Sequence, residues 1–280
     1  MRLDSTKSKY VEFTYALNTG LVTYPAIVQP NGVAGINTAG QFVGSYAPYY
    51  QHGFLQDTSG SFVDLYTGYY GTIATGINND GTTVGFGNTP NGQSPFMYTQ
   101  SGGFTNLGFV GQAMAINDNG LIVGWDNSSN MIEYSPANGV TNFGRLGTNG
   151  IFPYAINNAG NVTGYMNVSN YYHAFMYLAS VGLVDIGGLL PAYTNTYAYS
   201  INSSGVVVGH ADNGGAFIYS NGTTQFLSSL LSAPLANGQS LNSAFAINDS
   251  GWILALDGSN ALWLLVPSGT PGLCAVAICQ

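Results

Sequence analysis

Short apolar runs of four to seven residues, separated by polar turns rich in Gly, Asn, Ser and Asp, succeed one another along nearly the whole chain. Val, Ile, Phe, Tyr and Thr dominate the runs, which is the residue usage of β-strands bounded by hairpin turns. No segment carries a helical period. The stretch from Phe152 to Gly187 is representative: FPYAIN, NVTGYMN, HAFMYL and GLVDIG read as four consecutive strands, here called a, b, c and d.

The four-strand pattern repeats. Ile-Asn, two or three small or polar residues, Gly and a strand-like run recur at Ile36, Ile77, Ile116, Ile156, Ile201 and Ile247, at spacings of 41, 39, 40, 45 and 46 residues. Periods of about 40 to 45 residues are those of propeller blades rather than helical solenoids. The fold class expected is therefore all-β, a six-bladed β-propeller of four-stranded blades. The a-to-b turns INTAG, INNDG, INDNG, INNAG, INSSG and INDSG end in Gly, which suits a left-handed residue, and their Asn or Asp can bond the local backbone. Residues copied into every blade read as turn chemistry, not as a site.

The strand count predicts how the propeller closes. The run YVEFTY, Tyr10 to Tyr15, resembles the d strands, whereas the last unit, AFAIN, GWILALD and NALWLLV, has a, b and c but no recognisable d. The N-terminal strand is thus expected to complete the last blade in a three-plus-one closure, leaving no free sheet edge. The domain expected spans 10–266, with a basic leader at 1–9 and an apolar tail with both cysteines at 267–280.

These motifs resemble the HAF repeat family, predicted extracellular repeat proteins whose units look like INxxGxVVGxx followed by HAFLY and then Gly and Asp-Leu-Gly. The match is closest from Ile156 to Gly187, with His173-Ala174-Phe175 and Asp185-Ile186-Gly187, and more degenerate at His52-Gly53-Phe54, Gly215-Ala216-Phe217 and Ala261-Leu262-Trp263. The resemblance implies a secreted or surface-exposed β-propeller-like protein and brings no catalytic residues with it.

Composition points the same way. Only 6% of the residues are charged, against roughly 25% in an ordinary soluble domain, so the surface is hydrated by amides, hydroxyls and phenols. Such a surface suits an extracellular or cell-surface location better than a crowded cytosol, where net charge keeps molecules apart. Arg2, Lys7 and Lys9 precede the first strand, and from Tyr10 onward Arg145 is the one basic residue among eleven acidic ones. Nucleic acid is not an expected partner of so acidic a body. No apolar run of 18 residues occurs, so no membrane span is expected.

In a propeller the short a-to-b turns share one face with the c-to-d turns, and the longer connections share the other. The latter connections hold Tyr46, Tyr49, Tyr50, Tyr66, Tyr69, Tyr70, Tyr193 and Tyr197. Variable loops on a rigid scaffold are where binding surfaces form. Tyrosine offers flat apolar area plus a hydroxyl, which serves sugar faces and protein partners equally well, or simply packs the loops.

Other chemistry-bearing residues add little. Asp80, Asp118, Asp249, Asp64 and Asp185 belong to the repeat, while Asp126, Asp212 and Asp257 follow strand b in three blades and are weak calcium candidates, because calcium wants six to eight oxygens and no Asp-rich loop supplies them. No cofactor is expected. His52 and His173 share one strand c position, which points to packing or hydrogen bonding. Cys274 and Cys279 form a disulfide candidate, but an extended segment would hold their Cα atoms about 16 Å apart, beyond the ~7 Å a disulfide tolerates. An internal bond therefore needs a tight turn; bonds to another molecule and free thiols stay open. Asn-x-Ser/Thr sequons at Asn127, Asn161, Asn167, Asn202, Asn221 and Asn248 are compatible with a glycoprotein.

The sequence thus predicts a non-enzymatic extracellular propeller, structural or adhesive, whose termini engage copies of itself or other surface proteins in a filament or surface layer. A glycan-binding lectin using the tyrosine-rich face is the alternative, and a carbohydrate-active enzyme the third reading.

Overall fold

A computed structural model describes residues 2–4, 9–11, 13–16, 20–23, 30–47, 50–66, 71–190, 195–212, 214–236, 238–268 and 273–277. The described residues are nearly all β, with one short 3-10 turn at Leu227–Leu230, and contain no helix long and apolar enough to cross a membrane. They form six four-stranded sheets, each made of strands consecutive in sequence. Sheet 1 holds Pro30–Ile36, Phe42–Tyr46, His52–Gln56 and Phe62–Asp64, and sheet 2 holds Thr72–Ile77, Thr83–Thr89, Gly92–Thr99 and Gly103–Asn106. Sheet 3 holds Gly111–Ile116, Ile122–Asp126, Met131–Ser135 and Gly139–Gly144; sheet 4 holds Gly150–Ile156, Val162–Val168, Tyr171–Leu178 and Gly182–Asp185. Sheet 5 comprises Thr196–Ile201, Val207–Ala211, Gly215–Ser220 and Thr223–Phe226, and sheet 6 comprises Leu241–Ile247, Ile253–Asp257, Leu262–Pro267 and Leu273–Ala277. The six blades of four strands that the repeat implies are all present.

The expected closure is not. The fourth strand of sheet 6 is the C-terminal Leu273–Ala277, which pairs antiparallel with the c strand from Pro267↔Leu273 to Trp263↔Ala277. The N-terminal run instead forms local hairpins: Lys9–Val11 pairs with Arg2–Asp4, and Phe13–Ala16 with Gly20–Thr23. Loop closure favours both outcomes, since a tail five residues beyond strand c finds its partner at less entropic cost than a strand some 250 residues away. The segment 267–280 is therefore not a spare tail, because 273–277 is a strand of the last sheet. Cys274 lies in that strand opposite Val266, and Cys279 is outside the described residues.

The chain divides into two compact units, one of Met1–Ile122 with Tyr134–Val140 and one of Val123–Glu133 with Thr141–Gln280. In the first, Val43, Leu55, Leu65 and Ala74 interlock sheets 1 and 2, and Val84, Leu107, Ala113, Ile116 and Ile122 form the next layer. In the second, Ala174, Ile186, Ala198, Val207 and Phe217 pack sheet 4 on sheet 5, while Val208, Leu227, Leu241, Ile253, Trp263, Leu265 and Leu273 pack sheet 5 on sheet 6. The strand b valines and strand c phenylalanines of the repeat, Val43, Val84, Val123, Val207, Phe54, Phe96, Phe175 and Phe217, are all buried. Their strands are buried on both faces rather than alternately, since Phe42–Ser45 and the run from Val207 to Gly209 are buried residue after residue, as befits sheets covered on either side.

Each element of the INxxG motif has a physical task. The Gly is left-handed in all six turns, with φ between 76° and 79° from Gly40 to Gly251. The Asn side chain accepts from the backbone two and four residues on, as Asn157 Oδ1 does from Ala159 N (3.1 Å) and Asn161 N (3.0 Å). Its amide then reaches the next sheet. Asn37 Nδ2 donates to Asn78 O (3.1 Å) and Asn78 Nδ2 to Asn117 O (3.2 Å) in the first unit; in the second, Asn157 Nδ2 donates to Asn202 O (3.0 Å) and Asn202 Nδ2 to Asn248 O (3.3 Å). The following residue builds a parallel ladder, with Asn79 N donating to Asp118 Oδ1 and Ser203 N to Asp249 Oδ1. The repeat-borne Asp118 and Asp249 are thereby accounted for. The Gly of strand b, as in Thr163-Gly164-Tyr165, sits opposite a bulge in strand a, where a Cβ on Gly164 would collide with the Phe152 carbonyl.

Candidate functional site

Strands c and d carry a recurrent polar pair. His52 Nδ1 lies 2.9 Å from Asp64 Oδ2, and His173 Nδ1 lies 2.7 Å from Asp185 Oδ2. The same carboxylates cap the turn that follows, Asp64 accepting from Tyr66 N and Asp185 from Gly188 N. In sheet 1 the pair sits inside an aromatic cluster: Tyr66 stacks on the imidazole at 4.1 Å, Tyr46 meets it edge-on at 5.2 Å, and the Tyr46 hydroxyl donates to Asp64 Oδ2 at 2.8 Å. Burial, then the hydrogen bond to Asp64 and its charge, push the Tyr46 phenol up to about 12.

The three acids weighed as calcium ligands lie in three different sheets. Asp126 accepts from Ser128 N, Asn130 N, Asn130 Nδ2 and Asn142 Nδ2. Partial burial alone would raise its pKa, but these donors together hold it below the ordinary carboxylate value. Asp257, fully buried, accepts from Ser259, Ala261 and the Trp263 indole. Asp212 accepts from Asn195 Nδ2 and stands 3.4 Å from His210 Nε2. Asp126 and Asp257 thus hold their own turns and Asp212 ties its turn to Asn195, and among the described residues no three His, Cys, Asp or Glu converge as a metal site would require.

Of the loop-face tyrosines, Tyr46 and Tyr66 flank His52, Tyr50 is exposed, and Tyr197 lies in strand a of sheet 5. Tyr49, Tyr69, Tyr70 and Tyr193 are outside the described residues.

Tyr197 belongs to a continuous aromatic tract in the second unit. Trp125 meets Phe152 at 5.4 Å, Phe152 stacks on Tyr165 at 4.8 Å, and Tyr165 meets Tyr154, Tyr172 and Tyr197 at 5.4, 5.3 and 5.3 Å. Tyr199 extends it beside Tyr154, and His210 beside Tyr197. Except for the exposed Tyr172, the rings are half-buried. Their origin is simple: strand a alternates, and where sheets 2 and 3 place Ile73, Thr75, Gln112 and Met114 between buried residues, sheets 4 and 5 place Phe152, Tyr154, Tyr197 and Tyr199. Comparing FPYAI and YAYSI with the other a strands would have revealed the tract from sequence.

Desolvation raises the phenols of Tyr154, Tyr165, Tyr197 and Tyr199; the charges of neighbouring phenols and, at Tyr197 and Tyr199, of Asp212 add to it, while the hydrogen bond with Tyr165 opposes it at Tyr154. A phenol whose folded pKa lies above its unfolded value of about 10 stabilises the fold fully below that value, and the contribution is lost as pH rises through the folded pKa. Since Lys7 and Lys9 are the only lysines, tyrosine dominates this titration. Absorbance at the phenolate band is expected to show a late-ionising subset of the 20 tyrosines, and the urea midpoint to fall between about pH 9 and pH 11.5. A flat midpoint with uniform ionisation would contradict it.

No family model matches the chain, and no curated protein matches it in sequence. Solved structures do. A streptogramin B lyase is similar with a TM-score of 0.60 at 11% identity, over 97% of this chain and 88% of the other. Virginiamycin B lyase from Staphylococcus aureus is similar with a TM-score of 0.61 at 11% identity, over 96% of this chain and 88% of that one. The β-propeller domain of the Trilobed protease from Pyrococcus furiosus, described as having an open velcro topology, is similar with a TM-score of 0.52 at 12% identity, over 89% and 83%. The chain has the β-propeller fold. Identities this low carry the fold alone, yet they correct one expectation: the fold is shared with lyases, so the repeat architecture gives no ground for setting this chain down as non-enzymatic.

Proposed function

We propose that the chain is a carbohydrate-recognising β-propeller acting outside the cell, with the aromatic tract from Trp125 to Tyr199 as its recognition surface. The observation that carries this reading is the unbroken contact of Trp125, Phe152, Tyr154, Tyr165, Tyr172, Tyr197 and Tyr199 across strands of three sheets. A run of half-exposed rings presents flat apolar area to the C–H face of a sugar, while the phenol hydroxyls reach its rim. The low charge and the HAF-like motifs support the extracellular setting. The self-assembling reading rested on both termini, and it loses one of its two supports because the tail contributes a sheet strand, Leu273–Ala277.

Glycan-array screening of the native chain, followed by calorimetry on the best ligand, tests this. Tyr172 and Tyr197 form the more open end of the tract, so Tyr172→Ala and Tyr197→Ala are expected to weaken binding about tenfold each with little effect on folding. Absence of any glycan ligand, or full binding by the double variant, would overturn it.

A further inference from the structure

Sheet 2 departs from the polar pair of sheets 1 and 4 at three positions fixed by strand register. Opposite the buried Phe of strand c, sheet 1 has Asp64, sheet 4 has Asp185 and sheet 2 has Asn106. Two residues before that Phe stand His52, His173 and Ser94; opposite these, on strand b, stand Tyr46, Met166 and Gly87. Sheet 2 thus replaces two large side chains with Ser94 and Gly87, and the carboxylate with a neutral amide. A cavity of ≈ 160 Å³ opens there, bounded by Gly87, Ser94, Phe96, Phe104 and Asn106 among others. That is the share of roughly five liquid waters.

The cavity has an apolar wall and a neutral polar rim. Phe104, 41% exposed, meets the buried Phe96 edge-on at 5.2 Å. Asn106 Nδ2 donates to Ser94 Oγ at 3.0 Å, and Asn106 Oδ1 accepts from Gly108 N. This leaves the Ser94 hydroxyl hydrogen and the second Asn106 amide hydrogen able to donate. Among the described residues no charged side chain lines the space, which disfavours ions and favours a neutral ring bearing hydroxyls.

We infer that this cavity is a binding subsite for one neutral pyranose ring, stacked on Phe104 and bonded by Ser94 and Asn106, separate from the aromatic tract. The experiment titrates methyl β-D-glucopyranoside into the full chain and follows backbone amide shifts. Saturable shifts at Phe96, Phe104 and Asn106 with a millimolar dissociation constant are expected, as befits so small a ligand. The double variant Ser94→His/Asn106→Asp rebuilds the pair of sheets 1 and 4, fills the cavity with chemistry the fold already accepts, and is expected to abolish those shifts. Phe104→Ala, at a partly exposed position, should abolish them without loss of fold, whereas Tyr172→Ala/Tyr197→Ala should leave them unchanged. Lack of saturable shifts at these amides, their persistence in a folded Ser94→His/Asn106→Asp or in Phe104→Ala, or equal shifts with cyclohexanol would overturn the inference.

Discussion

Deletion of residues 273–280 is expected to cost the chain roughly 5 kcal/mol or more, a large part of what a domain has to lose. The strand Leu273–Ala277 covers the c strand of sheet 6, whose Trp263 and Leu265 are buried. Leu273 is itself buried in the core with Leu227, Leu235 and Leu241, and its carbonyl accepts from Ser232 N at 3.0 Å and Ser232 Oγ at 3.2 Å. Removing it forfeits about 2 to 3 kcal/mol of apolar burial, and each lost ladder bond adds about 1 kcal/mol. The truncated sheet also presents an unpaired strand edge to other chains, so aggregation should accompany the loss. Thermal melts followed by circular dichroism check this. A truncated chain that stays monomeric and melts within about 3 °C of the intact one would mean that the strand contributes less than about 1 to 2 kcal/mol.

Much of this fold is legible in the sequence because the repeat is written in residues with no alternative use. Buried Val43, Val84 and Val207 recur at one place in the repeat, and six left-handed glycines mark six turns. The closure is not legible in the same way. Tyr10 to Tyr15 and Leu273–Ala277 are both apolar runs of strand length, and resemblance to the d motif says nothing of the entropy that lets a nearby segment pair first. The site divides likewise. Tyrosines in loops attract notice, whereas Phe152, Tyr154 and Tyr199 look like ordinary strand residues until the half-exposed positions of strand a are compared sheet by sheet. The sheet 2 cavity is more hidden still, since it is made by what Gly87 and Ser94 lack, and only register aligns them with Tyr46 and His52.

Asn157→Ala is expected to destabilise the second unit by about 2 to 4 kcal/mol, because one buried side chain there makes three hydrogen bonds that the variant loses together. Two hold the turn and the third crosses to sheet 5, so the loss falls on both the hairpin and the contact between sheets. Asn157→Asp separates these roles. The carboxylate keeps an acceptor for Ala159 N and Asn161 N, but it turns a second oxygen toward the Asn202 carbonyl, where the amide had donated. Repulsion and burial both disfavour the charged form and raise the folded pKa of the new carboxyl above its unfolded value. Its protonated form restores a donor, so the deficit against the native chain should be large near neutral pH and shrink as pH falls through that raised pKa. Urea unfolding of both variants at pH 7 and near pH 5 reads the effect directly. A deficit in Asn157→Asp that is the same at both values would show that the amide's donation to the neighbouring sheet contributes nothing, and that the asparagine of the repeat serves its own turn alone.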